Sequence, residues 1–129
     1  MNAGDVVRDF LAAMEARDLD RARSHLGAGF AMVFPGNVHL ASLDELIAWA
    51  KPRYQRVGKT FTRLDVAPAE DGEVVTVSGT LHGVWPDGAP FEGIRYVDVF
   101  RLVDGKIVEQ HVWNDLEIAR AERASAGAG

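Results

Sequence analysis

The sequence contains no cysteine, no long apolar run and no cluster of basic residues. Without cysteine, the chain can form no disulfide, no thiolate nucleophile and no thiolate metal site. No stretch approaches the roughly 20 apolar residues that a membrane-spanning helix requires. A formal net charge of -5 provides no basic surface for nucleic-acid phosphates. We therefore expect a protein that binds neither nucleic acid nor a membrane.

The first nine residues also lack the features of a secretory signal, because they carry acids and have neither a basic start nor an apolar core. We therefore expect a cytoplasmic protein. With 129 residues, of which 47% are apolar and 26% charged, the chain has the size and composition of one globular domain. We assign residues 1–123 to this domain. The small and polar residues 124–129 are predicted to form a flexible tail.

Apolar spacing predicts helices in the first part of the chain. Apolar residues recur at intervals of three and four over residues 6–14, which is typical of an amphipathic helix, and Asp5 is the predicted cap. A short second helix is predicted over residues 19–26 and a strand over residues 30–34. A capping-box pattern that begins at Ser42 predicts a third helix.

Beyond Gly58 the pattern changes to that of strands, with a hairpin signal at Asp104-Gly105. The predicted strands are 60–66, 74–85, 91–103 and 106–113, and residues 115–123 are predicted to close the chain as a helix. Helices followed by long antiparallel strands predict an α+β fold, with the helices packed on one face of a curved sheet. Because the helices fill the concave face only in part, we expect a pocket there.

The segment YVDVFRLVDGKIVEQHVWNDL, residues 96–116, resembles the closing hairpin of SnoaL-like proteins in the nuclear transport factor 2 superfamily. The matching positions are Asp98, Phe100, Arg101, residues 104–107, Trp113 and Asp115. The early helices and the GTLHG segment at 79–83 also fit. The resemblance implies a conical pocket and a homodimer formed through the outer face of the sheet. In the cyclases of this family, a pocket acid or histidine moves protons for an intramolecular aldol condensation without a cofactor.

Strand alternation sorts the candidate catalytic residues into faces. It places Tyr96, Asp98 and Phe100 on one face of their strand. On the last strand it places Ile107, Glu109, His111, Trp113 and Asp115 together. If the hairpin is regular, Asp98 and His111 lie within reach of one another, as a carboxylate and imidazole suited to proton transfer. With the resemblance, this pattern predicts catalytic roles for Asp98, His111 and Asp115.

Each of these residues also has a structural interpretation. Asp98 can be an ionised group paired with Arg95 or Tyr96, His111 can face solvent on the outer sheet, and Asp115 can cap the terminal helix. The predicted substrate-binding residues are aromatic or methionine side chains, which more often belong to a core. They are Phe10, Met14, Trp49, Tyr54, Tyr96, Phe100 and Trp113.

We predict no metal and no cofactor. A metal site would require His39, His82, His111 and Asp98 to converge, and these residues come from separate elements without the spacing of a ligand motif.

The sequence thus predicts a protein that binds a small apolar, carbonyl-containing metabolite and uses cofactor-free acid–base catalysis of cyclase, isomerase or lyase type. A non-catalytic binding protein and a dimeric interaction module with a collapsed pocket are the alternatives. The absence of an acid between Asp20 and Asp44 argues against the mechanism of ketosteroid isomerases. The three-residue spacing of Arg95 and Asp98 argues against epoxide hydrolases of the limonene type, which place these groups two residues apart.

Overall fold

The computed structural model of the chain describes residues 1–128. Three helices and two short strands precede three long strands and a final strand and helix. In chain order these are α1 (Ala3–Glu15), α2 (Leu19–Arg23), β1 (Leu26–Phe34), β2 (Val38–Leu40), α3 (Leu43–Ala50), β3 (Arg56–Ala69), β4 (Gly72–Val84), β5 (Pro90–Val103), β6 (Lys106–Asn114) and α4 (Leu116–Ala128). None of the helices in this part of the chain has the length and apolar character that a membrane crossing requires.

All six strands belong to one sheet, in the order β2-β1-β6-β5-β4-β3. Every neighbouring pair is antiparallel except β1 and β6, which run parallel. The register shifts at bulges in the pairs β3–β4, β4–β5 and β5–β6, and bulges of this kind bend long strands and increase their twist. The predicted α+β fold, with N-terminal helices on a curved and mainly antiparallel sheet, is confirmed.

Helix α1 packs its apolar stripe against the inner face of the sheet. Phe10 is 1% exposed and Phe100 is 0% exposed, and their rings meet edge to face with centroids 6.1 Å apart. Phe30 of β1 approaches the ring of Phe10 in the same way at 6.4 Å. Burying each such ring stabilises the fold by about 1.5–3 kcal/mol, so these contacts fix α1 over the centre of the sheet.

The first helix begins earlier than its apolar spacing predicts. Its N-cap is Asn2, whose side-chain oxygen accepts a hydrogen bond from the backbone N–H of Asp5 at 2.8 Å. The Asp5 carboxylate accepts one from the Asn2 backbone N–H at 3.3 Å, so Asp5 completes a capping box and is not itself the cap. In α3 the predicted N-cap is confirmed, because Ser42 Oγ accepts a hydrogen bond from the Glu45 N–H at 3.1 Å. The Glu45 carboxylate accepts from the Ala41 N–H at 2.6 Å instead of the Ser42 N–H, so the second half of the predicted capping box is not formed.

Helix α2 is held against α1 by a polar cluster. The Asp9 carboxylate accepts a hydrogen bond from Arg21 Nε at 3.0 Å and lies 2.6 Å from His25 Nε2. The hydrogen bond from Arg21, and after it the one from His25, lowers the pKa of Asp9 to about 2. Asp9 is therefore ionised at neutral pH and ties the two helices together.

Several elements differ from the sequence prediction, and strand pairing sets the limits of β1 and β2. Helix α2 stops at Arg23, and β1 begins at Leu26, which pairs with Ile107 of β6. The short strand β2, which contains His39, was not predicted and adds to the edge of β1. Helix α4 continues to Ala128, so residues 124–128 are helical where a flexible tail was predicted, and Gly129 lies outside the described residues.

Candidate functional site

A cavity lies between α1, α3 and the first half of β3. It encloses about 130 Å³ of space that water-sized molecules can occupy, close to the ~150 Å³ of a cavity that admits benzene. Most of its wall is apolar, and four charged or amide side chains also reach it. The lining includes Phe10, Leu11, Met14, Phe34, Leu46, Tyr54, Val57 and Phe61, together with Glu15, Arg17, Lys59 and Gln110.

The polar part of the cavity wall rests on a buried carboxylate. Asp98 on β5 is 0% exposed, and its Oδ2 lies 3.0 Å from Lys59 Nζ. Gln110 Nε2 donates a longer hydrogen bond of 3.5 Å to the same oxygen. Lys59 and Gln110 line the cavity while Asp98 lies behind them. An ammonium group is thus presented to an apolar space and held there by a buried carboxylate.

Three buried polar atoms beside this pair have no hydrogen-bond partner within residues 1–128. They are Asp98 Oδ1, Gln110 Oε1 and the hydroxyl of Tyr96. Lys59 Nζ also lies 5.3 Å from the centre of the Tyr96 ring, a distance at which a cation interacts with an aromatic face. Unpaired buried polar groups are uncommon in folded proteins. Three of them in one region indicate that the region has a role besides packing.

The two tyrosines near the cavity stay protonated at neutral pH. Burial, and after it the negative charge of Asp98, raises the pKa of Tyr96 far above its ordinary value of 10.0. Burial also raises the pKa of Tyr54, although the nearby guanidinium groups of Arg17 and Arg53 oppose this shift. Neither phenol is a base at neutral pH, so proton acceptance at the cavity falls to carboxylates.

Residues 7–110, most of the chain, match the profile of the SnoaL-like domain family. The chain belongs to the SnoaL-like family. No curated protein matches it. Solved structures with the same fold include an NTF2-like protein of unknown function from Burkholderia pseudomallei, with a TM-score of 0.75 and 19% identity over 93% of this chain and 96% of the other.

Two further solved structures carry more specific names. TerC, co-crystallised with polyporic acid, aligns with a TM-score of 0.77 and 17% identity over 93% of this chain and 95% of its own. A protein of Xanthomonas campestris, provisionally named a polyketide cyclase, aligns with a TM-score of 0.73 and 18% identity over 92% and 94% of the two chains. At these identities the likeness shows a shared fold.

The predicted pairing of Asp98 with His111 in this SnoaL-like chain is wrong. On β6, Glu109 pairs with Arg101 and Ile107 pairs with Leu102, so Val108 is an extra residue in a bulge. A one-residue shift turns every later side chain to the opposite face. Gln110 therefore points inward and His111 points outward, 42% exposed, with its Nε2 3.6 Å from Glu109 Oε2.

The other predicted catalytic residue, Asp115, also lies outside the cavity. Its Oδ2 accepts a hydrogen bond from Arg95 Nε at 2.7 Å, and its backbone carbonyl accepts one from the Ala119 N–H at the start of α4. Asp115 therefore begins the terminal helix through its backbone. The partners of Asp98 are Lys59 and Gln110. The structural interpretation of the sequence had paired Asp98 with Arg95 or Tyr96.

The predicted substrate-binding residues fall into three groups. Phe10, Met14 and Tyr54 line the cavity. Tyr96 and Phe100 are buried beside Asp98 on the inner face of β5, as strand alternation predicts. The remaining two lie elsewhere: Trp49 lines a separate cavity, and Trp113 is 54% exposed and stacks on His111 on the outer face of the sheet. Within residues 1–128, His, Asp and Glu side chains nowhere gather in threes around a possible metal position.

Sequence reasoning missed Lys59, Gln110 and Glu15. Lys59 lies just before the predicted start of its strand at residue 60, whereas β3 begins at Arg56. The alternation of Val57, Lys59 and Phe61 was the available signal, since it places a lysine on an otherwise apolar strand face. Gln110 was not considered, because regular alternation placed Glu109 and His111 on the inner face and nothing in the local sequence marks the bulge at Val108.

The ion pair between Lys59 and Asp98 predicts a strong energetic coupling. Lys59→Met leaves a buried carboxylate without its cation, and we expect the free energy of unfolding to fall by about 3 kcal/mol. Asp98→Asn costs less, because Lys59 is 23% exposed and can reach water. The double variant should lose about 1–3 kcal/mol less free energy of unfolding than the sum of the losses in the two single variants. Urea denaturation measures all three, and Lys51→Met at the exposed end of α3 is the matched control. Strict additivity would contradict the pairing.

Proposed function

We propose that this SnoaL-like chain binds a small apolar metabolite that carries a carbonyl group. The observation that supports this most directly is the ammonium group of Lys59 at an apolar cavity, with Asp98 Oδ2 3.0 Å behind it. An ammonium has three N–H donors, so a hydrogen bond to Asp98 leaves donors for a carbonyl oxygen of the ligand. Phe10, Met14 and Tyr54 contact the apolar part of that ligand.

The charges around the cavity favour an uncharged ligand. Among the described residues that reach it, Glu15 and Arg17 carry opposite charges at the exposed end of α1. The charge of Lys59 is balanced by Asp98. Because the net charge of this set is zero, nothing selects for an anion or a cation. The volume of about 130 Å³ is close to that of a cavity that binds benzene, so it suits a ligand of about one ring.

The names of two structural relatives agree with this class of ligand. TerC was co-crystallised with polyporic acid, and the Xanthomonas campestris protein is provisionally named a polyketide cyclase. Polyketides carry carbonyl groups. Since these chains share only the fold with the present one, they support the ligand class and leave its identity open to experiment.

Acetophenone and ethylbenzene form a pair of probes that differ in a single carbonyl group. We expect acetophenone to bind the wild-type protein about tenfold more tightly, because a hydrogen bond to a charged group contributes ~1.5–3 kcal/mol. In Lys59→Met this preference should disappear, whereas His111→Gln on the outer face should retain it. NMR titration gives both Kd values. Equal affinity of the wild-type protein for the two probes would refute the proposed role of Lys59.

We further propose that the cavity performs acid–base catalysis at the carbon next to the carbonyl. Glu15 is the only carboxylate among the described residues that line the cavity. It takes the proton from that carbon, and Lys59 stabilises the negative charge that develops on the carbonyl oxygen. Reversal returns the proton from Glu15 to carbon. Asp98 is a positioning residue here, because it holds Lys59 and does not reach the cavity itself.

The contacts of Glu15 place its carboxylate, which is 52% exposed, at the rim of the cavity. Its carboxylate lies over Gly58, where a Cβ would come within 2.2 Å of Glu15 Oε1 and 2.6 Å of His82 Nε2. His82 Nε2 is 3.9 Å from the same oxygen. Glycine at position 58 therefore leaves space for the acid and the imidazole on the face of β3 opposite to the Lys59 side chain, at the edge of the cavity.

Proton exchange tests this catalysis without knowledge of the natural substrate. In D₂O, we expect the wild-type protein to accelerate loss of the methyl proton signal of acetophenone. Glu15→Gln and Lys59→Met should abolish the acceleration, and Asp98→Asn should reduce it about tenfold or more. His111→Gln and Asp115→Asn are the controls and should exchange at the wild-type rate. If the wild-type protein binds acetophenone without accelerating exchange, catalysis is refuted and the non-catalytic alternative is supported.

We also propose that the outer face of the sheet forms a homodimer. Val97 and Trp113 face each other across β5 and β6 and are 38% and 54% exposed, and the His111 ring stacks on that of Trp113. Aromatic side chains such as that of Trp113 are enriched at protein contacts.

Sedimentation equilibrium tests the dimer. Trp113→Glu should weaken association about tenfold or more, because it places a charge in the apolar patch. Ile118→Glu, at a 58% exposed position of α4, introduces the same charge elsewhere and should leave association unchanged. A wild-type protein that sediments as a monomer at millimolar concentration would contradict the proposal.

A further inference from the structure

A second cavity lies between α3, α4 and the end of β4. It encloses about 180 Å³ that water-sized molecules can occupy, which again is comparable to the ~150 Å³ of a benzene-binding cavity. Two indole rings, those of Trp49 and Trp85, form its walls with Pro35 and Leu116. Phe34, which lines the first cavity, contacts Trp49 edge to face at 5.1 Å. These two side chains separate the second cavity from the first.

The indole walls are held in place by their neighbours. Trp85 is 5% exposed, and its ring lies 4.5 Å from that of Phe91. The guanidinium carbon of Arg53 lies 4.0 Å from the centre of the Trp49 ring, and Arg53 also donates a hydrogen bond to the Trp49 carbonyl oxygen. Aromatic walls fixed in this way suit a ligand with an aromatic ring, because packing beside them requires little rearrangement of the protein.

Unlike the first cavity, this one carries an excess of positive charge. Its charged lining residues are Arg53, Arg120 and Glu117. Arg120 Nε donates a 2.8 Å hydrogen bond to Glu117, so the acid is already paired. Within residues 1–128, no carboxylate approaches Arg53 closely enough to form an ion pair. Arg53, which donates to the Trp49 carbonyl oxygen and whose charge also acts on Glu117, keeps further N–H donors for an anion.

We propose that this second cavity binds a small planar aromatic carboxylate. The ring of the ligand packs against Trp49 and Trp85, and its carboxylate pairs with Arg53. This site is separate from the first cavity and does not depend on the function proposed for it. The charge excess distinguishes the ligand of the second cavity from the uncharged ligand of the first.

Benzoate, with benzyl alcohol as its uncharged counterpart, tests the proposal on the wild-type protein. The chain has three tryptophans, so its NMR spectrum contains three indole N–H signals, which Trp→Phe variants assign. Benzoate should shift the signals of Trp49 and Trp85 saturably and leave that of Trp113 in place. Benzyl alcohol should bind at least tenfold more weakly. The absence of a saturable shift at Trp49 and Trp85, or equal binding of the two probes, would overturn the proposal.

Variants separate the two cavities. Arg53→Gln should raise the Kd for benzoate about tenfold or more, while Arg56→Gln, an exposed arginine just outside the site, should not change it. Lys59→Met in the first cavity should also leave benzoate binding unchanged. Loss of benzoate binding in Lys59→Met with retention in Arg53→Gln would assign the anion to the first cavity and overturn the proposal. If Arg53→Gln fails to fold, the shifts of the indole N–H signals in the wild-type protein still decide the test.

Discussion

A carboxylate buried on the inner face of a sheet requires a cation, and this requirement organises the interior of the protein. Asp98 is fully buried on β5, whereas Lys59 lies on β3, with β4 between them in the sheet. The ammonium group therefore crosses a neighbouring strand to reach the acid. Since an uncompensated buried charge is strongly destabilising, the fold holds Lys59 at the cavity wall. The stability of the sheet and the chemistry offered to a ligand thus depend on the same contact.

The sequence predicts the architecture well, because architecture depends on features that repeat along the chain. Helical spacing in the first part of the chain and the alternating strands after it, with the Asp104-Gly105 turn, predicted the α+β fold. The residues from Tyr96 to Leu116 resemble the family to which the chain belongs. The inward orientation of Asp98 was predicted correctly because the part of β5 around it alternates without interruption. The face on which such a residue lies depends only on its neighbours in the strand, so the sequence predicts it directly.

The site was predicted less well, because it depends on two details that no local pattern carries. One extra residue, Val108, reverses the faces of β6, so Gln110 accompanies Asp98 and His111 faces outward. The start of β3 at Arg56 brings Lys59 into the sheet. Both details are set by pairing with distant strands, and a shift of one residue there moves a side chain from one face to the other.

The central claim is that Lys59, held by Asp98, faces the carbonyl group of a ligand. A crystal structure of the protein soaked with acetophenone tests it most directly. The account predicts the ring among Phe10, Met14 and Tyr54, with the carbonyl oxygen about 3 Å from Lys59 Nζ and the pair of Lys59 with Asp98 intact. A ring in that cavity whose carbonyl group points away from Lys59, or a ligand bound only elsewhere, would contradict it.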